Sequence, residues 1–123
     1  MIRPRKLNAV GIVVRDLQRS VEWYKQKFGF ERLFDVPNGV VIGAGGVELW
    51  VAQAKHPAAA RQAHTDRDIC IRLIGFEVSR SDLAGARAEF PEDEDFVEID
   101  HPRYRSCIIE DPDGHAIELF VNR

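Results

Sequence analysis

Val47-Glu48-Leu49-Trp50-Val51 and Ile117-Glu118-Leu119-Phe120-Val121 are two versions of one pattern, 70 residues apart. In each, a carboxylate and an aromatic alternate with aliphatic residues, which is the period of a β-strand with two different faces. A second matched pair lies upstream of them. Ala9-Val10-Gly11-Ile12-Val13-Val14 corresponds to Leu73-Ile74-Gly75-Phe76-Glu77-Val78 at an offset of 64. The offset widens from 64 to 70 because the second half carries extra loop residues. The chain therefore reads as one structural unit written twice.

The segments between these anchors complete the unit. Leu7 to Val14 is an apolar, β-branched strand. Asp16 is placed to cap a helix whose inner face is Leu17, Val21, Tyr24 and Phe28, and Gly29 stops it. Phe30–Val36 and Val40–Gly43 read as strands joined at Asn38-Gly39, where both residues tolerate positive φ. Gly45-Gly46 turns the chain into Val47–Ala52. The second copy begins with a strand over Ile69–Val78. A short helix follows, capped by Ser81 or Asp82, with Leu83, Ala86 and Phe90 inward. Beyond the acidic loop Pro91–Asp95, strands are expected at Phe96–Ile99, Tyr104–Glu110 and His115–Val121, with Asp111-Pro112-Asp113-Gly114 as a turn.

Each copy is thus βαβββ. The expected fold class is α+β: module one over residues 5–53, a linker at 54–68 with about two helical turns, and module two over 69–123. A single module leaves one apolar sheet face uncovered. Two modules together would form a curved, cup-shaped mixed sheet of eight strands with helices outside and a cavity inside. Strand alternation sends Glu48 and Trp50 to one face and Leu49 and Val51 to the other, under the helix. The same holds for Glu118 and Phe120 against Leu119 and Val121. Ala9 and Gly11 share the open face in module one, and Leu73 and Gly75 share it in module two. These eight residues form the expected site: Glu48 and Glu118 for chemistry, and Ala9, Gly11, Trp50, Leu73, Gly75 and Phe120 as ligand-binding walls. A charge on a central strand needs a partner or solvent, so two readings stand. Either the glutamates converge in the cavity, or they pair with arginines and water at the sheet rim.

Bulk properties narrow the function classes. At 123 residues the chain is one domain by length, able to bury about two-thirds of its unfolded surface. A formal net charge of −3 argues against a nucleic-acid surface. No apolar run approaches the ~20 residues of a membrane span, and the basic start has too short an apolar stretch for a signal peptide. Cys70 and Cys107 fall in no CxxC pair, and reduced thiols in a cytoplasmic protein are the expectation.

Leu7-Asn8-Ala9-Val10-Gly11-Ile12-Val13-Val14-Arg15-Asp16-Leu17, with Ser20-Val21-Glu22-Trp23-Tyr24 and Phe28-Gly29-Phe30, resembles the opening module of the vicinal oxygen chelate superfamily. That group includes glyoxalase I, methylmalonyl-CoA epimerase, extradiol dioxygenases and the bleomycin- and fosfomycin-resistance proteins. Asp111-Pro112-Asp113-Gly114-His115-Ala116-Ile117-Glu118-Leu119 resembles its closing strand pair. The resemblance covers nearly the whole chain and speaks to fold more than to activity. It implies that metal-dependent members draw one ligand from the first strand and one from the last strand of each module. Carried over, those positions are Ala9, Glu48, Leu73 and Glu118. Both glutamates are present, but alanine and leucine cannot coordinate a metal. His56, His64, His101 and His115 lie out of register and read as surface histidines. Two carboxylates alone suit a hard cation with several waters better than zinc, nickel or iron.

Three functions follow as expectations. The first is a metal-free small-molecule binder with a degenerate metal site, its ligand cationic or hydroxylated and lying against Trp50 and Phe120. The second is a lyase, isomerase or epimerase using a weakly bound divalent cation or a glutamate general base. The third is a non-catalytic interaction domain. No tightly bound cofactor is expected. A homodimer is expected, because open sheets leave edges and apolar rim to cover. The cavity could then form within one chain or between two.

Overall fold

The computed structural model describes residues 1–7, 9–57 and 73–123. The chain divides into two units, Met1–Ala60 and Arg61–Arg123, and the architecture is α+β with the same βαβββ order in each. The first unit contains β1 (Gly11–Val14), α1 (Leu17–Phe28), β2 (Glu31–Val36), β3 (Gly39–Ala44) and β4 (Val47–Gln53). The second contains β5 (Ile74–Glu77), α2 (Arg80–Glu89), β6 (Val97–His101), β7 (Tyr104–Glu110) and β8 (Ala116–Asn122). Each unit builds a four-stranded mixed sheet, in the orders β1-β4-β3-β2 and β5-β8-β7-β6, with the parallel pair at one edge.

Local chemistry explains the first unit. Asp16 accepts the Arg19 N–H at 3.1 Å and starts α1. Gly29 closes the helix at φ 68°, and its N–H returns to the Lys25 carbonyl. Val21 and Tyr24 are buried, Leu17 and Phe28 half-buried, and α1 packs on β3 and β4. Beneath it Ile12, Val14, Val40, Ile42, Leu49 and Val51 make the core. The Gln53 side chain joins the ends of β1 and β4. Its Oε1 accepts the Leu17 N–H at 2.9 Å, and its Nε2 donates to the Arg15 carbonyl at 2.7 Å.

In the second unit α2 packs on β7 and β8 over Cys107, Ile109, Ile117 and Leu119, all buried. The cap differs from expectation: Ser79, not Ser81 or Asp82, starts α2, and its Oγ accepts the Asp82 N–H at 3.0 Å. Asp82 is then the acidic residue of the first turn, which the helix dipole favours. The hairpin at Asn38 also differs. The turn residues are Pro37 and Asn38, Val36 pairs Gly39, and only Asn38 has positive φ, at 60°. Proline followed by a residue at positive φ is the type II pattern.

Strand bounds shift at several ends. β1 begins at Gly11 rather than Leu7, which is 84% exposed. β6 begins at Val97 and continues to His101. β5 begins at Ile74. The earlier part of that expected strand, Cys70, His64 and most of the 54–68 linker lie outside the described residues.

Candidate functional site

In both sheets one face lies under a helix and the other carries the glutamates. On the glutamate-bearing face of the first sheet Gly11, Trp50, Val41 and Phe34 stand in one row across β1, β4, β3 and β2, and Val41 is fully buried there. Trp50 and Phe34 meet edge to face at 5.9 Å between centroids. The neighbouring row holds Glu48, Gly43 and Glu31. Extending the parallel register back from Gly11–Trp50 sets Ala9 beside Glu48. Glu48 is exposed, while Trp50 is half-buried. A cavity of about 420 Å³ is lined by Lys6, Leu7, Ala9, Val10, Gly46 and Glu48.

On the open face of the second sheet Gly75, Glu118, Ile108 and Val97 form one row. Glu77, Phe120, Ser106 and Ile99 form the next. Glu118 and Phe120 are half-buried. Gly75 is tied to Phe120: a Cβ at position 75 would lie 3.6 Å from the Phe120 ring.

The two registers are not equivalent. Trp50 pairs Gly11, whereas its counterpart Phe120 pairs Glu77. The second first-strand is therefore two residues out of step with the match read from sequence. Glu118 has Gly75 as its lateral neighbour. Leu73 shares that face, but extending the register sets it beside Ala116.

Two buried polar atoms have no hydrogen-bond partner among the described residues, Trp50 Nε1 and Ser106 Oγ. Both residues stand on open faces, and Ser106 is directly beside Phe120. Buried indole N–H and hydroxyl groups usually find partners, so these two atoms mark places where polar groups are unsatisfied. Ser106 and Lys6 were not among the expected site residues. Ser106 is legible only as a lone hydroxyl before the apolar run Cys107-Ile108-Ile109 of β7, and nothing around Lys6 singles it out.

His115 corrects an expectation. It is not a surface histidine: its side chain is 14% exposed, and Nδ1 lies 2.7 Å from Oδ2 of Asp111, which is fully buried. Asp111 Oδ1 accepts the N–H groups of Asp113 and His115, each at 2.9 Å. The motif Asp111-Pro112-Asp113-Gly114-His115 therefore builds a closed turn around one carboxylate, with Gly114 at φ 83°. Cys107 is buried on the helix side, and burial, with the charges of Glu98 and Glu118, pushes its thiol up to about 11.

Among the described residues no three His, Cys, Asp or Glu side chains form a group that could hold a metal ion. None of the helices described is long and apolar enough to cross a membrane.

Paired βαβββ modules with a carboxylate on each open sheet face define a class of domain, and sequence comparison gives its family. The chain belongs to the glyoxalase/bleomycin resistance protein/dioxygenase superfamily, whose profile matches residues 6–119. A glyoxylase/bleomycin resistance protein/dioxygenase domain from Frankia sp. EAN1pec superposes with a TM-score of 0.78 at 18% identity, covering 98% of this chain and 100% of that one. The fosfomycin resistance protein FosX from Listeria monocytogenes gives 0.76 at 15% identity, covering 98% and 94%. Lactoylglutathione lyase from Agrobacterium tumefaciens gives 0.67 at 17% identity, covering 95% and 93%. At such identities the likeness is one of fold. Comparison with curated proteins finds no match.

Proposed function

We propose that this chain is a small-molecule-binding protein of the glyoxalase/bleomycin-resistance type with a degenerate metal site. The residues proposed to take part in ligand binding are Glu48 and Trp50 on the first sheet and Glu118 and Phe120 on the second. One observation carries the reading: each sheet presents a carboxylate and, two residues on, an aromatic on its open face. An aromatic wall beside a carboxylate suits a ligand with a flat body and a cationic or hydroxyl group.

The donor set does not fit a transition metal. The first-strand positions that the family resemblance points to are Ala9 and Leu73, which have no donor atom. Gly75, which the register sets beside Glu118, has no side-chain donor either, and Ala9 lines the same cavity as Glu48. In this reading the protein works without a resident metal and pairs as a homodimer.

Native mass spectrometry of purified protein tests these points together. The expected result is a species of twice the 14.0 kDa chain mass with no stoichiometric metal. Aromatic cations should add to it, and the Glu48→Gln/Glu118→Gln variant should lose that addition. Stoichiometric zinc, nickel, iron or manganese would overturn the metal-free reading, and a monomer would overturn the dimer. Ligand addition untouched by the double substitution would overturn the site.

A further inference from the structure

The cavity of about 420 Å³ in the first unit has a mixed lining. Lys6 contributes a cation, Glu48 an anion, and Leu7, Ala9 and Val10 apolar surface. Among the described residues neither Lys6 nor Glu48 has an ion-pair partner. Opposite charges that line one cavity without closing on each other leave room for a molecule that carries both signs. Glu48 has only acceptors to offer at neutral pH, and Lys6 only donors.

A second, independent feature lies on the same face. Two residues further along β4, or roughly 6.6–6.8 Å by strand geometry, stands Trp50. Its Nε1 is a donor with no acceptor capacity, buried and without a partner among the described residues. A purely apolar tail lying against Trp50 would leave that donor unsatisfied. A tail carrying an oxygen acceptor would satisfy it.

Glu48 and the buried donor of Trp50 thus follow each other along β4, and Lys6 lines the same cavity as Glu48. We propose that the open face of module one takes a small zwitterion of the amino-acid type, its carboxylate toward Lys6, its ammonium on Glu48, and its flat tail, carrying an oxygen acceptor, against Trp50. The proposal rests on the small-molecule-binding reading and narrows it to a ligand class. The phenol of tyrosine is such a tail, and tyrosine is a suitable probe.

The test is an NMR titration that follows the two indole N–H signals, Trp50 being assigned by Trp50→Phe. Four probes share one frame: tyrosine (both charges and the phenol), tyramine (no carboxylate), 3-(4-hydroxyphenyl)propionate (no ammonium) and phenylalanine (no phenol). Tyrosine should bind most tightly and move the Trp50 indole proton downfield. Lys6→Gln and Glu48→Gln should each weaken it roughly two- to fivefold, the range for exposed charge pairs. Trp50→Phe keeps the flat wall and removes the donor. It should weaken tyrosine roughly three- to tenfold and leave phenylalanine unchanged.

Equal binding of tyramine and tyrosine, still dependent on Glu48, would overturn the zwitterion and leave the wider binding reading standing. So would a Trp50 indole signal already at a hydrogen-bonded position and unmoved by every probe, since its partner would then be water. No shift from any probe at about 1 mM, a binding free energy near −4 kcal/mol, would also overturn it. The aromatic-cation screen of the double glutamate variant decides the broader reading separately.

Discussion

Replacing Asp111 should be among the most damaging single changes outside the apolar core. Its carboxylate is fully buried and accepts the N–H groups of Asp113 and His115 at 2.9 Å each, with His115 Nδ1 at 2.7 Å. Asp111→Ala removes these three bonds from the turn. Hydrogen bonds to a charged group contribute about 1.5–3 kcal/mol each, but groups sharing one acceptor do not add. Breaking a buried pair by removing one partner costs about 3–5 kcal/mol, and that range is the expectation. For a chain of this length it corresponds to roughly 10–20 °C in melting temperature.

Asp111→Asn separates the contributions. Its Oδ1 still accepts both backbone N–H groups, so the turn survives, and only the charged contact with His115 changes. The expected cost is about 1–2 kcal/mol. Urea unfolding followed by circular dichroism measures both variants against wild type. An alanine variant within about 1 kcal/mol of wild type would show that the turn does not depend on this carboxylate. Equal loss in the two variants would show that the charge, not the backbone acceptor, holds it.

Cys107 should be silent toward thiol reagents in the folded protein. In a Cys70→Ser chain, Ellman's reagent at pH 8 should react only as fast as the protein unfolds; immediate reaction would refute the burial that pushes this thiol up from 9.0 to about 11. A raised thiol favours the protonated, folded form. Its contribution is therefore whole below the unfolded value and is lost as pH climbs from about 9 to about 11, a decline that Cys107→Ala should lack in a melting-temperature series. Gln53→Ala should cost about 1–3 kcal/mol in urea unfolding through its two bonds to the β1–α1 connection, and a neutral result would mean that water replaces them.

The parts of the fold that were legible in sequence are those decided by near neighbours. Alternation alone assigned Glu48 and Trp50 to one face and Leu49 and Val51 to the other, because successive strand side chains must point oppositely. Asp16 and Gly29 bounded α1, because an N-cap oxygen and a left-handed C-terminal residue satisfy helix ends within a few residues of themselves. The internal repeat likewise exposed both glutamates without any knowledge of contacts.

Tertiary structure decided what depends on distant partners. Parallel register is set by hydrogen bonds between strands far apart in the chain, so the two-residue step that brings Gly75 rather than Leu73 beside Glu118 has no local signature. The same is true of Lys6, brought by the chain's path to the cavity that Glu48 also lines, and of Gln53, reaching back to Arg15 and Leu17. Ser106 and the indole of Trp50 are ordinary residues in the sequence. Only packing could bury their polar atoms without partners, because whether such an atom is satisfied depends on everything that surrounds it.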